Sequence, residues 1–217
     1  MHVEGTAALV AAARAAGVGR FAHMSALGAR ADAAATAYHR TKAAGEDAVR
    51  RSIPEHVILR PSLIAGPGNV PLRMMINMVR LAPVVPVIGD GLYRMQPVWL
   101  EDVAEAFAVA VERGDLSGTF DIAGPETLTW HAMLDRIEDA LGVRRRRVRV
   151  PLGVVRLGAA AGLALPDLAP ITPDQLQMLL EGSTTEANAL ATVFGVTPRP
   201  FAQVVREMCA PYAPAVT

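Results

Sequence analysis

Three short apolar runs, each stopped by a breaking residue, constrain this chain more than anything else in it. They are residues 19–24 (GRFAHM), 56–60 (HVILR) and 119–123 (TFDIA). The first is followed by Ser25, the second is ended by Pro61, and the third by Gly124-Pro125. Between and beyond them lie longer stretches with helical spacing, residues 3–16, 33–50, 70–81, 101–113 and 129–141. Strands of about five residues alternating with helices of ten or more predict βαβ units and a parallel sheet.

Local end signals sharpen this. Gly17 closes the first helix, the Thr129 hydroxyl caps the last of the set and Gly142 stops it. Residues 66–69 (GPGN) form a turn. Residues 83–90 read as irregular or a short strand, and 93–99 as extended. After Val150 the pattern changes to a small, apolar run over 151–165, then helices over 172–181, 185–194 and 200–209. The expected architecture is α/β, a partial doubly wound parallel sheet over residues 1–150 with a mostly helical cap over 151–217.

Composition narrows the function. Hydrophobic residues make up 52% of 217, enough for a substantial core. Lys plus Arg and Asp plus Glu number 21 each, so no global field draws the chain to nucleic acid. Cys209 stands alone, which excludes an internal disulfide and fits a reducing compartment. The five histidines lack metal-ligand spacing, so no metal is expected. No apolar run reaches the ~18 residues that span a bilayer, and the N-terminus does not read as a signal peptide.

One pair of residues carries chemistry. Tyr38 and Lys42 are four apart in the 33–50 helix and therefore share a face. An ammonium beside a phenol favours the phenolate, so Lys42 is expected to lower the Tyr38 pKa and fit it for proton transfer. Ser25, at a strand's C-terminal end, lies on the sheet edge where doubly wound folds bind ligands. Glu46, four residues past Lys42, is placed to pair with its ammonium.

These residues, with Gly5-Thr6, Arg60-Pro61 running to Gly66-Pro67-Gly68, Gln96-Pro97-Val98 before Glu101-Asp102-Val103-Ala104, and Ala123-Gly124-Pro125, resemble the atypical and extended short-chain dehydrogenase/reductases. HMSALGA, YHRTKAAGE and MQPVWLEDVAEA are most similar to the branch of the nucleotide-binding accessory subunit of respiratory complex I and its bacterial relatives. The resemblance implies an NAD- or NADP-binding protein with oxidoreductase or epimerase chemistry. It assigns Tyr38 as proton donor or acceptor, Lys42 to the Tyr pKa and the nicotinamide ribose, and Ser25 to the substrate oxygen and the Tyr hydroxyl. Pro61, Ser62 and Leu63 would pass beside the nicotinamide, and helix residues around Gln96, with the cap, would shape the pocket of a small-molecule substrate of unknown identity. The alternative it implies is a non-catalytic nucleotide-binding accessory or assembly subunit of complex I or a similar membrane complex. The expected location is cytoplasmic, or peripheral at the inner membrane, with a homo-oligomer left open.

The family's Gly-x-x-Gly-x-x-Gly turn, which cradles the cofactor pyrophosphate, is not among these residues. The dinucleotide-binding part is therefore expected to be truncated, with its front βα units outside the sequence and an uncovered sheet edge left behind. Three features stand apart from this resemblance. The arginines at 144–147 and 149 read as a solvated edge or an anion patch, Met74, Met75 and Met78 as core or pocket wall, and 151–165 as a buried helix or a membrane or subunit contact.

Overall fold

The computed structural model describes residues 2–161 and 171–212. Strands β1 (Arg20–Met24), β2 (Glu55–Pro61) and β7 (Gly118–Ile122) form a parallel sheet in the order β1-β2-β7. Smaller pairs flank it: β3 (Ile64–Ala65) with β6 (Val98–Trp99) and β4 (Val84–Ile88) with β9 (Arg146–Val150), both parallel, and β5 (Arg94–Met95) with β8 (Leu128–Thr129), antiparallel. The expected α/β fold with parallel strands is what the chain adopts.

Strand alternation distributes the core. On β2, Ile58 packs with Val10, Val49 and Ile53, under helices α1 (His2–Ala15) and α2 (Ala37–Ser52). Val57 and Leu59 point the other way, onto Val103, Ala106 and Ala110 of α4 (Leu100–Glu112). A second lobe gathers α3 (Val70–Leu81), β4, α5 (Trp130–Leu141) and α9 (Phe201–Cys209) around Ile76, Met133, Leu134 and Phe201. Phe201 in that lobe and Leu190, Phe194 and Val196 in the α4 core come from the region after Val150. Of that region α6 (Leu152–Ala161) and α7 (Pro173–Glu181) are also described, whereas 162–165 of the apolar run lie outside the described residues.

Helix ends follow local chemistry. Thr129 accepts from Ala132 N–H at the start of α5, and Gly142 closes it with φ 65°. Asn69 caps α3 through Leu72 N–H. Two expected helices are corrected. α2 begins at Ala37 rather than 33, because a turn from Ala35 N–H to Asp32 O precedes it and the Thr36 hydroxyl accepts from His39 N–H. The helix expected over 185–194 is one turn only, α8 (Ala189–Thr192). Residues before it are spent on tertiary bonds: Thr185 N–H to Gln96 Oε1, Thr185 Oγ1 to Asp121, and Asn188 to the backbone of Ala123. Met75 is core and Met78 packs against it, but Met74 is exposed.

Just past β7 the backbone of Gly124 crosses that of Pro97 closely. A Cβ on Gly124 would lie 1.8 Å from the Pro97 carbonyl oxygen. Gln96 Nε2 donates to Gly124 O there. Backbone on both sides leaves no side chain free to give way. Gly124→Ala is expected to cost about 3 kcal/mol, roughly 6–12 °C in Tm by thermal denaturation; an unchanged Tm would contradict the crossing.

Candidate functional site

The site is organised by α2. Thr36 and Asp174 fix its first turn, Thr36 through His39 N–H and Asp174 Oδ2 through Ala37 N–H at 3.0 Å. Tyr38 and Lys42 do share a face: the Lys42 Nζ stands 5.8 Å from the Tyr38 ring centroid. Lys42 reaches down to the end of β1, donating to Met24 O at 3.3 Å. The Tyr38 hydroxyl makes no hydrogen bond among the described residues, and the residue is 37% exposed.

The pKa expectation for Tyr38 is corrected. Burial pushes its phenol above the ordinary value. Lys42 is itself pulled below the ordinary lysine value, first by burial, with Glu46 opposing from a distance. Burial of the ring thus sets the sign of the shift, beside an amine whose own charge is disfavoured.

Ser25 faces inward. It is buried at the end of β1, and its hydroxyl donates to Glu46 Oε1 at 2.5 Å. Glu46 has 0% exposure and also takes Arg60, through Nε at 2.7 Å and Nη2 at 2.6 Å, and Arg50 Nη2 at 2.7 Å. Burial works against this charge, but the bonds from Arg60, Ser25 and Arg50 win and hold the carboxyl below its ordinary pKa. The expected Lys42–Glu46 ion pair does not form, because the carboxylate is saturated by these donors. Among the described residues no hydrogen bond joins Ser25 to Tyr38 or Lys42.

The other expected positions sit close by. Pro61 O accepts from Leu27 N–H, Ser62 N–H donates to Ile122 O, and Leu63 O accepts from Val98 N–H. The Ser62 hydroxyl is taken by the Gln96 carbonyl. Gln96 is corrected: it is not helical but lies between β5 and β6, and its side chain bolts Gly124 O to Thr185 N–H rather than facing a pocket. An open cleft of about 660 Å3 lies beyond the Glu46 cluster, lined by Arg50, Arg60, Thr119, Asp121 and Asn188 among others. It contains none of Ser25, Tyr38 or Lys42.

Sequence reasoning missed what holds the loop before α2. Arg30 Nη2 grips Glu181 of α7 at 2.8 and 2.9 Å, and Gln177 Nε2 donates to Ala34 O at 2.7 Å. His39 is buried against Arg30 Nη1, and burial and Arg30 lower its pKa. The Arg30–Glu181 and Gln177–Ala34 contacts join residues more than a hundred positions apart, where no local pattern signals them.

A parallel α/β sheet with Tyr and Lys one turn apart beside a strand end defines the short-chain dehydrogenase/reductase class. Within it, the chain belongs to the family described as the RmlD substrate binding domain, which it matches over residues 31–213. It is 29% identical over 199 residues to the mitochondrial NADH dehydrogenase [ubiquinone] 1 alpha subcomplex subunit 9 of Arabidopsis thaliana, covering 87% of this chain and 49% of that one. It is 33% identical over 162 residues to the ceramide reductase of Caulobacter vibrioides, covering 73% and 50%. The chain thus spans about half the length of these relatives. A dTDP-4-dehydrorhamnose reductase of Bacillus anthracis, solved with NADP, superposes with a TM-score of 0.71 at 15% identity over 97% of this chain and 72% of its own. That likeness establishes the Rossmann-like fold.

Replacing Glu46 tests the cluster. Glu46→Gln strands Arg60 beside a neutral amide and is expected to lose about 2–4 kcal/mol, against about 1–2 kcal/mol for Ser25→Ala. Because the folded-state pKa is depressed, the Glu46 contribution is complete above the unfolded value near 4.3 and is lost as pH falls through the lower folded value. Urea titrations at descending pH should therefore converge for wild type and Glu46→Gln below about pH 4. Parallel curves would contradict a charged Glu46.

Proposed function

We propose that this chain carries the proton-transfer half of an NAD(P)-dependent reductase- or epimerase-type active site, acting on a small carbonyl or alcohol. The observation that carries it is the Tyr38–Lys42 pair, with an unbonded phenol at the surface and an amine anchored at the end of β1. The residues present suit a nicotinamide cofactor. Among the described residues Lys42 has one acceptor, at 3.3 Å, and so retains N–H donors for ribose hydroxyls. Pro61 O, the Ser62 N–H and hydroxyl, and Leu63 O already have protein partners, so a nicotinamide passing here would meet chiefly the half-buried Leu63 side chain.

When bound, the nicotinamide supplies or takes the hydride. Tyr38 gives its proton to the carbonyl oxygen as negative charge develops there, and regains it from solvent. Lys42 holds the cofactor and adds positive charge beside the phenol. Ser25 assists directly only if its hydroxyl leaves Glu46; otherwise it sets the end of β1 from which Lys42 hangs.

A second reading has specific support. The locked Ser25 hydroxyl suits a site that binds a nucleotide without turnover. The Arabidopsis relative is by name a subunit of NADH dehydrogenase. In that reading the chain is an accessory subunit at a membrane complex. In the first it is a cytoplasmic enzyme. Among the described residues no helix is long and apolar enough to cross a membrane.

Tyr38→Phe separates the two. For the enzyme, kcat should fall at least about 100-fold with the Kd for NAD(P)H nearly unchanged, whereas Lys42→Ala should weaken both. Unchanged turnover in Tyr38→Phe would overturn the catalytic role. Retained nucleotide without turnover in the wild type, together with co-fractionation with a membrane complex, would favour the accessory subunit.

A further inference from the structure

The parallel pair β4–β9 leaves one face uncovered. Val85 and Val87 point into the second lobe, so Val84 and Pro86 point away, alongside their register partners Arg146 and Val148. Val84 and Val148 are exposed. After Pro151 alone, α6 begins, and Leu152 packs against Gly89 at the end of β4. That helix exposes Val154 at 62% and Leu157 at 74%, three residues apart and so on one face.

The charges beside these apolar groups have one sign. Residues 146–159 contain four arginines and no carboxylate, in a chain whose net charge is zero. Arg147 is committed to Asp135 and Glu138 of α5. Arg146, Arg149 and Arg156 make no hydrogen bond or ion pair among the described residues. Asp90, two residues past β4, is the acidic group at the rim, and its Oδ1 accepts from Leu92 N–H.

We propose that this face docks on an anionic phospholipid surface, with Val154 and Leu157 entering the headgroup boundary and Arg146 and Arg156 meeting lipid phosphates. A short amphipathic helix with large apolar groups and arginines lies in such an interface rather than across it. Lipid phosphate supplies an opposite charge that Arg146 and Arg156 do not find among the described residues. A second copy fits poorly, because a twofold interface would press this single-sign patch against itself. The proposal involves neither the cofactor nor Tyr38, so it stands or falls apart from the catalytic reading.

Co-sedimentation with vesicles tests it. The protein should pellet with phosphatidylglycerol–phosphatidylcholine vesicles at low salt, less at high salt, and weakly with phosphatidylcholine alone. Arg146→Ala with Arg156→Ala should reduce partitioning about 25-fold, about fivefold per arginine (~1 kcal/mol each). Val154→Asp with Leu157→Asp should abolish it. Circular dichroism and Tm should be unchanged in both, since all four side chains are in water. Failure to pellet with anionic vesicles, equal binding to neutral ones, or undiminished binding by either folded variant would overturn the proposal. So would a dimer in sedimentation velocity that Leu157→Asp dissolves.

Discussion

The Glu46 carboxylate is the contact on which the arrangement of this molecule depends. It has no exposure, yet it remains charged, because donors converge on it from the end of β1, from β2 and from its own helix. A buried charge is tolerated only when it is paired and its lone pairs are filled. The donors can fill them only if α2 lies at one height and one rotation over the sheet. Removing Glu46 would lose more than a hydrogen bond, because Arg60 would lose the carboxylate it is bonded to and keep only the more distant charge of Asp121. The ion cluster therefore does what apolar packing does poorly, which is to specify register rather than mere proximity.

That register sets the site. Residues 38, 42 and 46 are spaced by four on a helix of 3.6 residues per turn, so the row drifts by about 40° per step. It begins at the rim with Tyr38, passes through half-buried Lys42 and ends in the core with Glu46. Fixing the inner end fixes the direction of the outer end. The start of α2 is held separately, by Asp174 and by the grip of Arg30 on Glu181. The phenol thus sits on a helix pinned at its core end by a charge cluster and at its open end by α7.

Much of this was legible along the chain, and the boundary of legibility has a physical cause. α5 was readable because its end signals are local: a capping side chain three residues from the amide it serves, and a glycine where the backbone turns left-handed. Tyr38 and Lys42 were readable for the same reason, since a helix fixes the geometry of residues four apart. Residues 185–188 were misread as helix because their polar groups bond to Gln96, Asp121 and Ala123, which no window of sequence around them contains. Ser25 and Glu46 were each visible as residues, but their partnership was not. Twenty-one positions separate them, and only the packing of α2 on the sheet brings them together. The sign of the Tyr38 shift failed for a related reason: the neighbour was read correctly, while the cost of burial is a property of the whole surround.

That sign bears on direction of reaction under the proposed reading. A phenol raised above its ordinary pKa keeps its proton at neutral pH and is suited to giving it to a developing alkoxide. The reverse step, taking a proton from an alcohol, needs the phenolate, which burial disfavours. Burial also weakens the hold of Lys42 on its own charge. The protonated phenol is the form that serves carbonyl reduction, and the phenolate the form that serves alcohol oxidation. Positive charge beside the ring favours the phenolate, and a bound oxidised nicotinamide would be cationic where a reduced one would not. The chain would then supply the position of the proton, while the redox state of the cofactor would set the ease of losing it.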